Sequence, residues 1–88
     1  MNPLISDFAD VQALVVAQLL DARGLACPLP LLKTKLLLRE MAVGERLQVL
    51  TTDAGSWRDI PAFARLSNHQ LLGAARQQDE FIFVLEKH

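Results

Sequence analysis

Leu20-Asp21-Ala22-Arg23-Gly24-Leu25-Ala26-Cys27-Pro28-Leu29-Pro30-Leu31-Leu32-Lys33-Thr34-Lys35 carries the chain from a strand into a helix. An apolar run closes at Asp21, a glycine lets the chain turn, and a cysteine precedes two prolines that open a leucine-rich segment. Proline is tolerated in the first turn of a helix, where the amide it lacks has no intrahelical partner. Pro28 and Pro30 therefore mark a beginning, with Cys27 at or beside the N-cap. Good helix formers continue from Leu31 to Met41, and Gly44 stops them. Leu29, Leu32 and Leu36 make one ridge of this helix, with Leu31 and Leu38 roughly opposite. Such a helix is buried on more than one side, or it keeps one ridge for a partner.

Outward from this stretch, Val15 to Asp21 reads as a strand, because paired valines and an apolar run favour burial in a sheet. Residues 1–14 read as an extension, loosely ordered or briefly helical, in which Phe8, Val11 and Leu14 recur at helical spacing. Downstream, Arg46 to Thr52 alternates with β-branched residues as a strand does. Asp53-Ala54-Gly55 turns into a second helix over Ser56 to Ser67. Its start has two readings: Ser56 with Asp59 resembles a capping box, or Asp59 caps and Pro61 falls in the first turn. A loosely wound first turn that regularises after Pro61 is the preferred course. Asn68 suits the left-handed residue that ends a helix. Gln70 to Gln77 and Phe81 to Glu86 then form a hairpin joined at Gln78-Asp79-Glu80.

The order βαβαββ, with right-handed crossovers, places two helices on one face of a four-stranded mixed sheet. The expected fold is an α/β (α+β) two-layer sandwich over residues 15–88, its second sheet face more open than so short a chain favours. At 88 residues, 51% of them apolar, there is room for one domain. One cysteine excludes an internal disulfide framework, and with only His69 and His88 no closed zinc site is expected; no cofactor is implied. Nine basic against ten acidic residues leave a net charge of −1, so direct nucleic-acid binding is not expected. Residues 1–22 hold Asp7, Asp10 and Asp21 but no Lys or Arg, unlike a secretory leader. The apolar run Ala13 to Leu20 is too short to span a bilayer. A lone cysteine fits a reducing compartment, so a soluble, cytoplasmic protein is expected.

Cys27 is the one reactive candidate. A buried structural thiol is the plain reading of any single cysteine. At a helix N-terminus, however, unpaired amides and the positive end of the dipole favour the thiolate. With no second thiol and no histidine nearby in sequence, neither a dithiol cycle nor a cysteine hydrolase fits. Such a thiolate is suited to accepting a group from one protein and surrendering it to another, as a persulfide does with sulfur.

The stretch from Leu20 to Lys35 closely resembles the opening signature of the TusA/SirA-like sulfur-carrier family. Gly44-Glu45-Arg46-Leu47-Gln48-Val49 with Asp53 resembles its second strand and turn. Ser56-Trp57-Arg58-Asp59-Ile60-Pro61-Ala62-Phe63 resembles its second helix, and His69-Gln70-Leu71-Leu72 its third strand. The resemblance covers about residues 16–87. It departs at Asn68, at the glycine-free hairpin Gln78-Asp79-Glu80, and in the longer N-terminal extension. The resemblance implies a βαβαββ fold and a cytoplasmic sulfurtransferase or sulfur carrier bearing a persulfide on Cys27, with Gly24, Pro28 and Pro30 shaping the loop. Relatives receive sulfur from a cysteine desulfurase or rhodanese-like donor and pass it to an acceptor protein, for tRNA thiolation, molybdenum-cofactor metabolism or sulfur oxidation.

Arg23, Lys33, Lys35 and Arg58 form a candidate basic rim for partner or persulfide electrostatics, or are simply solvated. Asp59 is a cap or a further electrostatic residue; Trp57 and Phe63 read as core. A carrier must expose its thiol, which favours a monomer. The alternative to sulfur transfer is a non-enzymatic interaction or regulatory module in which Cys27 is incidental and the Leu29/Leu32/Leu36 ridge binds a partner.

Overall fold

The computed structural model describes residues 4–88. They fold in the order α1 (Phe8–Gln12), β1 (Gln18–Ala22), α2 (Leu29–Glu40), β2 (Arg46–Thr51), α3 (Ser56–Leu66), β3 (Gln70–Gln77) and β4 (Glu80–Glu86). The four strands form one sheet in the order β1-β2-β4-β3. β1 runs parallel to β2, while β4 is antiparallel to both β2 and β3, so the sheet is mixed. This is the expected fold class, with a third helix added.

Alternation along the two central strands splits the core, since successive side chains point to opposite faces. Leu47 and Val49 of β2 and Phe81, Phe83 and Leu85 of β4 face α2 and α3, where they meet Leu38, Ile60 and Ala64. Leu50, Ile82 and Val84 face the other way with Ala75 of β3. The apolar run of β4 is continuous because both of its faces are covered.

The second face is closed by the residues ahead of β1. Asp7 caps α1 by accepting the Asp10 N–H at 3.2 Å. Val11 is completely buried, and Ile5, Phe8, Leu14 and Val16 pack around the same cluster. Ile5 also pairs with the edge of β3: its N–H donates to Leu72 O at 3.1 Å, and Ala74 N–H donates to Ile5 O at 2.9 Å. A bulge at Leu72, between Leu71 and Gly73, sets the β3 edge at this crossing. Gly73 is needed there, because a β-carbon would lie 2.9 Å from Val11 Cγ2 and 3.2 Å from Ile5 O. The openness expected of this face is therefore corrected: the chain supplies its own cover.

Other boundaries differ for local reasons. The first strand begins at Gln18 rather than Val15, because its partner β2 begins at Arg46 and pairing starts at Gln18 opposite Leu47. Val15 is left exposed. At α3 the N-cap is Gly55, and neither Ser56 nor Asp59 caps. Ser56 Oγ donates instead to Asp53 O at 2.7 Å and lies 2.6 Å from Thr51 Oγ1, tying the helix start to the end of β2. Pro61 stands inside the helix, so the Trp57 carbonyl has no amide at position 61 to accept. Asn68 takes the expected left-handed conformation with φ 61°, and in the hairpin Gln78 does so with φ 54°. Among the described residues no helix is long and apolar enough to cross a membrane.

Candidate active site around Cys27

The parallel pair β1–β2 sends its two following loops out of the same end of the sheet. Ligand sites of parallel sheets gather at such strand ends. The loop after β1 carries Gly24 and Cys27, and the loop after β2 carries Asp53 and Gly55 and leads into α3.

Arg23 and Gly24 shape the first loop. Arg23 forks onto the Asp21 carboxylate, with Nε 2.9 Å from Oδ1 and Nη2 2.8 Å from Oδ2. Its other side lies 3.6 Å from Glu80. The guanidinium holds the Asp21 carboxyl at about 2, well below its ordinary value. Gly24 turns with φ +82°, and its N–H donates to Thr52 Oγ1 at 2.9 Å, lacing the two loops together.

Cys27 is exposed and stands one residue ahead of the N-cap of α2. Pro28 is the N-cap, the Cys27–Pro28 peptide is cis, and Pro30 is buried in the first turn. Cys27 Sγ donates to Asp59 Oδ2 at 3.6 Å. The Asp59 N–H is anchored on Gly55 O at 3.0 Å, and its Oδ1 accepts from Arg58 Nε at 3.2 Å. Beneath the sulfur, Asp53 Oδ2 is buried without a hydrogen-bond partner among the described residues. A β-carbon on Gly55 would lie 2.9 Å from that oxygen and 3.8 Å from Cys27 Cβ, so the second loop passes directly under the cysteine.

These surroundings correct the expected ionisation. Atoms that displace water from the sulfur, then the hydrogen bond and charge of Asp59, then the charge of Asp53, push the Cys27 thiol above its ordinary value; Arg58 pulls the other way. Desolvation disfavours the charged thiolate, and two carboxylates of the same sign add to it.

The candidate basic rim does not converge on the sulfur. Arg58 lies beside it through Asp59, whereas Arg23 is engaged with Asp21 and Glu80. Lys35 Nζ sits 5.5 Å above the Phe63 ring, and Lys33 is exposed on the same helix. His69 belongs to another region: its ring lies 5.7 Å from Phe63, and Nδ1 accepts the His88 N–H at 3.1 Å. Trp57 packs over Phe81 and Phe83 at 5.8 and 6.0 Å and stays 41% exposed. Leu29, Leu32 and Leu36 are exposed on α2 while Leu38 is buried, so one leucine ridge continues outward from Cys27. Among the described residues no cluster of three or more His, Cys, Asp or Glu side chains is placed to hold a metal.

The sequence marks Asp53 and Gly55 as turn residues, and Asp53 as part of the family resemblance, but not as residues of the site. The signal that finds them is topological: two parallel strands must bring their following loops together. With this geometry in place, comparison with known proteins assigns the family. The model of the sulfurtransferase TusA family matches residues 18–87. The chain belongs to the TusA family. Over 70 residues it is 41% identical to the sulfur carrier protein TusA of Allochromatium vinosum, covering 80% of this chain and 92% of that protein. It is 43% identical to a putative sulfur carrier protein of Neisseria meningitidis serogroup A, covering 80% of this chain and 95% of that protein. The SirA-like protein of Desulfitobacterium hafniense has the same fold, with a TM-score of 0.70 at 21% identity over 78% of this chain and 95% of that one. Cys27 and the loops around it lie inside the matched region, and α1 lies outside it.

Proposed function

We propose that this TusA-family chain is a sulfur carrier that takes sulfane sulfur as a persulfide on Cys27 and hands it to an acceptor protein. The observation that carries the reading is a single exposed thiol, at the start of α2, within the family-matched region. The Cys27 thiolate attacks the outer sulfur of a donor persulfide. The bond from Cys27 Sγ to that sulfur forms as the donor's S–S bond breaks, and the donor leaves as a thiolate that takes up a proton. No electrons are gained or lost overall, so no cofactor is called for. An acceptor thiolate removes the outer sulfur by the same displacement. The donor in this reading is a cysteine desulfurase or rhodanese-like protein, and the setting a cytoplasmic relay for tRNA thiolation or related sulfur metabolism. The carrier acts as a monomer, and the exposed Leu29/Leu32/Leu36 ridge next to the thiol gives partners an apolar surface to dock on.

Incubation with a desulfurase, cysteine and labelled sulfur tests this directly. The native chain is expected to gain one sulfur by intact mass, lost again on reduction, while Cys27→Ser keeps its fold and gains none. Label retained on the serine variant would overturn the reading in favour of an interaction module with an incidental cysteine.

A further inference from the structure

The chemistry proposed for Cys27 requires a thiolate, yet the first turn of α3 is built to receive a thiol. Asp59 is held at both ends, by its N–H on Gly55 O and by Oδ1 on Arg58 Nε, which leaves Oδ2 facing the sulfur at 3.6 Å. A carboxylate accepts but cannot donate, so the contact exists only while Cys27 carries its proton. Asp59 is also reachable from solvent, its side chain 24% exposed. We propose that Asp59 is a positioning residue that holds the Cys27 S–H against α3 and keeps the free carrier slow toward electrophiles.

This rests on Cys27 being the sulfur acceptor only for its biological meaning; the contact itself is independent of that reading. The charged groups that act on the sulfur are Asp59 and Arg58 from α3 and Asp53 from the loop below it. Arg58 is spread toward solvent and shares the Asp59 carboxylate, so it offsets the negative charge only in part. A carrier arranged in this way resists oxidation and casual alkylation when empty. Its sulfur becomes a good nucleophile when something draws the Asp59 carboxylate aside.

The test is the pH profile of Cys27 alkylation by iodoacetamide in the full chain. Asp59→Asn keeps the shape and removes the charge, and its profile is expected to move to lower pH. A tenfold gain in thiolate fraction raises the alkylation rate only about threefold, since nucleophilicity falls as the thiol becomes more acidic. The expected gain at neutral pH is therefore about threefold. Asp59→Glu restores a negative acceptor and is expected to return the profile toward the native one, which a merely structural role for Asp59 would not produce. Ultraviolet absorbance of the thiolate, followed against pH, should move in parallel. An Asp59→Asn profile that stays in place or moves to higher pH overturns the proposal, as does an Asp59→Glu profile matching that of Asn. Because alkylation needs no sulfur donor, a failure here and a failure of the sulfur-loading experiment are read separately.

Discussion

Replacing Val11 by Ala tests whether α1 is a working part of the core. Val11 is fully buried, among Ile5, Phe8, Leu14 and Val16 on its own side and Leu50, Ile82 and Val84 on the sheet. Removing both γ-methyls forfeits about 0.8 kcal/mol per carbon of burial, and the void left behind adds to this, for about 2 kcal/mol in all. At 0.05–0.15 kcal/mol per residue, 88 residues have about 4–13 kcal/mol of total stability, so the loss is a large share. It should lower Tm by about 8–16 °C. Gly73→Ala attacks the same contact from the other side, driving a methyl to 2.9 and 3.1 Å from the two Val11 γ-carbons and 3.2 Å from Ile5 O. Overpacking of this kind costs about 1–3 kcal/mol. The pair is expected to be coupled: with Val11 shortened, the methyl on residue 73 enters the vacated space. The double variant should then lose about 1 kcal/mol less than the two single losses together, with the unmoved Ile5 carbonyl limiting the recovery. Urea unfolding of the four proteins measures the cycle. A Val11→Ala cost below about 0.5 kcal/mol with additive single effects would refute the packing of α1 on β3.

Three further outcomes follow from the same structure. The Asp21 carboxyl, lowered from 3.8 to about 2 by Arg23, favours the folded state above its unfolded value, and that contribution is lost as pH falls from about 4 toward 2. An NMR titration should find the low value in the native chain and an ordinary carboxylate in Arg23→Gln; an unchanged midpoint would dismiss the pairing. On α2, Leu36→Glu should change stability by less than about 0.5 kcal/mol, whereas Leu38→Ala should cost about 2–5 kcal/mol, as chemical denaturation would show. The same Leu36→Glu variant should load sulfur more slowly from a protein donor while its alkylation by a small reagent stays as in the native chain.

Much of the architecture was legible because it rests on local rules. Pro28 and Pro30 can open a helix but not continue one, and the period-two pattern of β2 and the apolar run of β4 admit strands and little else. Crossover handedness then puts α2 and α3 on one face. Boundaries that depend on a partner were less legible. Val15 and Val16 favour a strand intrinsically, yet β1 starts only where β2 offers something to pair with. Ser56 has the side chain of a cap but spends it on Thr51 and Asp53, contacts made across a loop that local sequence does not describe.

Residue identity and spacing place one thiol in the chain, set it at a proline-marked helix start, and leave no second thiol to resolve it. Only the tertiary structure decided what surrounds that thiol. The end of β2 comes back beside the end of β1, so crowding of the sulfur, together with Asp59 and Asp53, 32 and 26 positions beyond Cys27, raises the thiol above the ionisation expected from the helix terminus. Tertiary structure likewise turned Ile5, Phe8, Val11, Leu14 and Val16 into the lid of the second core. Both outcomes depend on distance in space between segments far apart in sequence, and no local pattern encodes that distance.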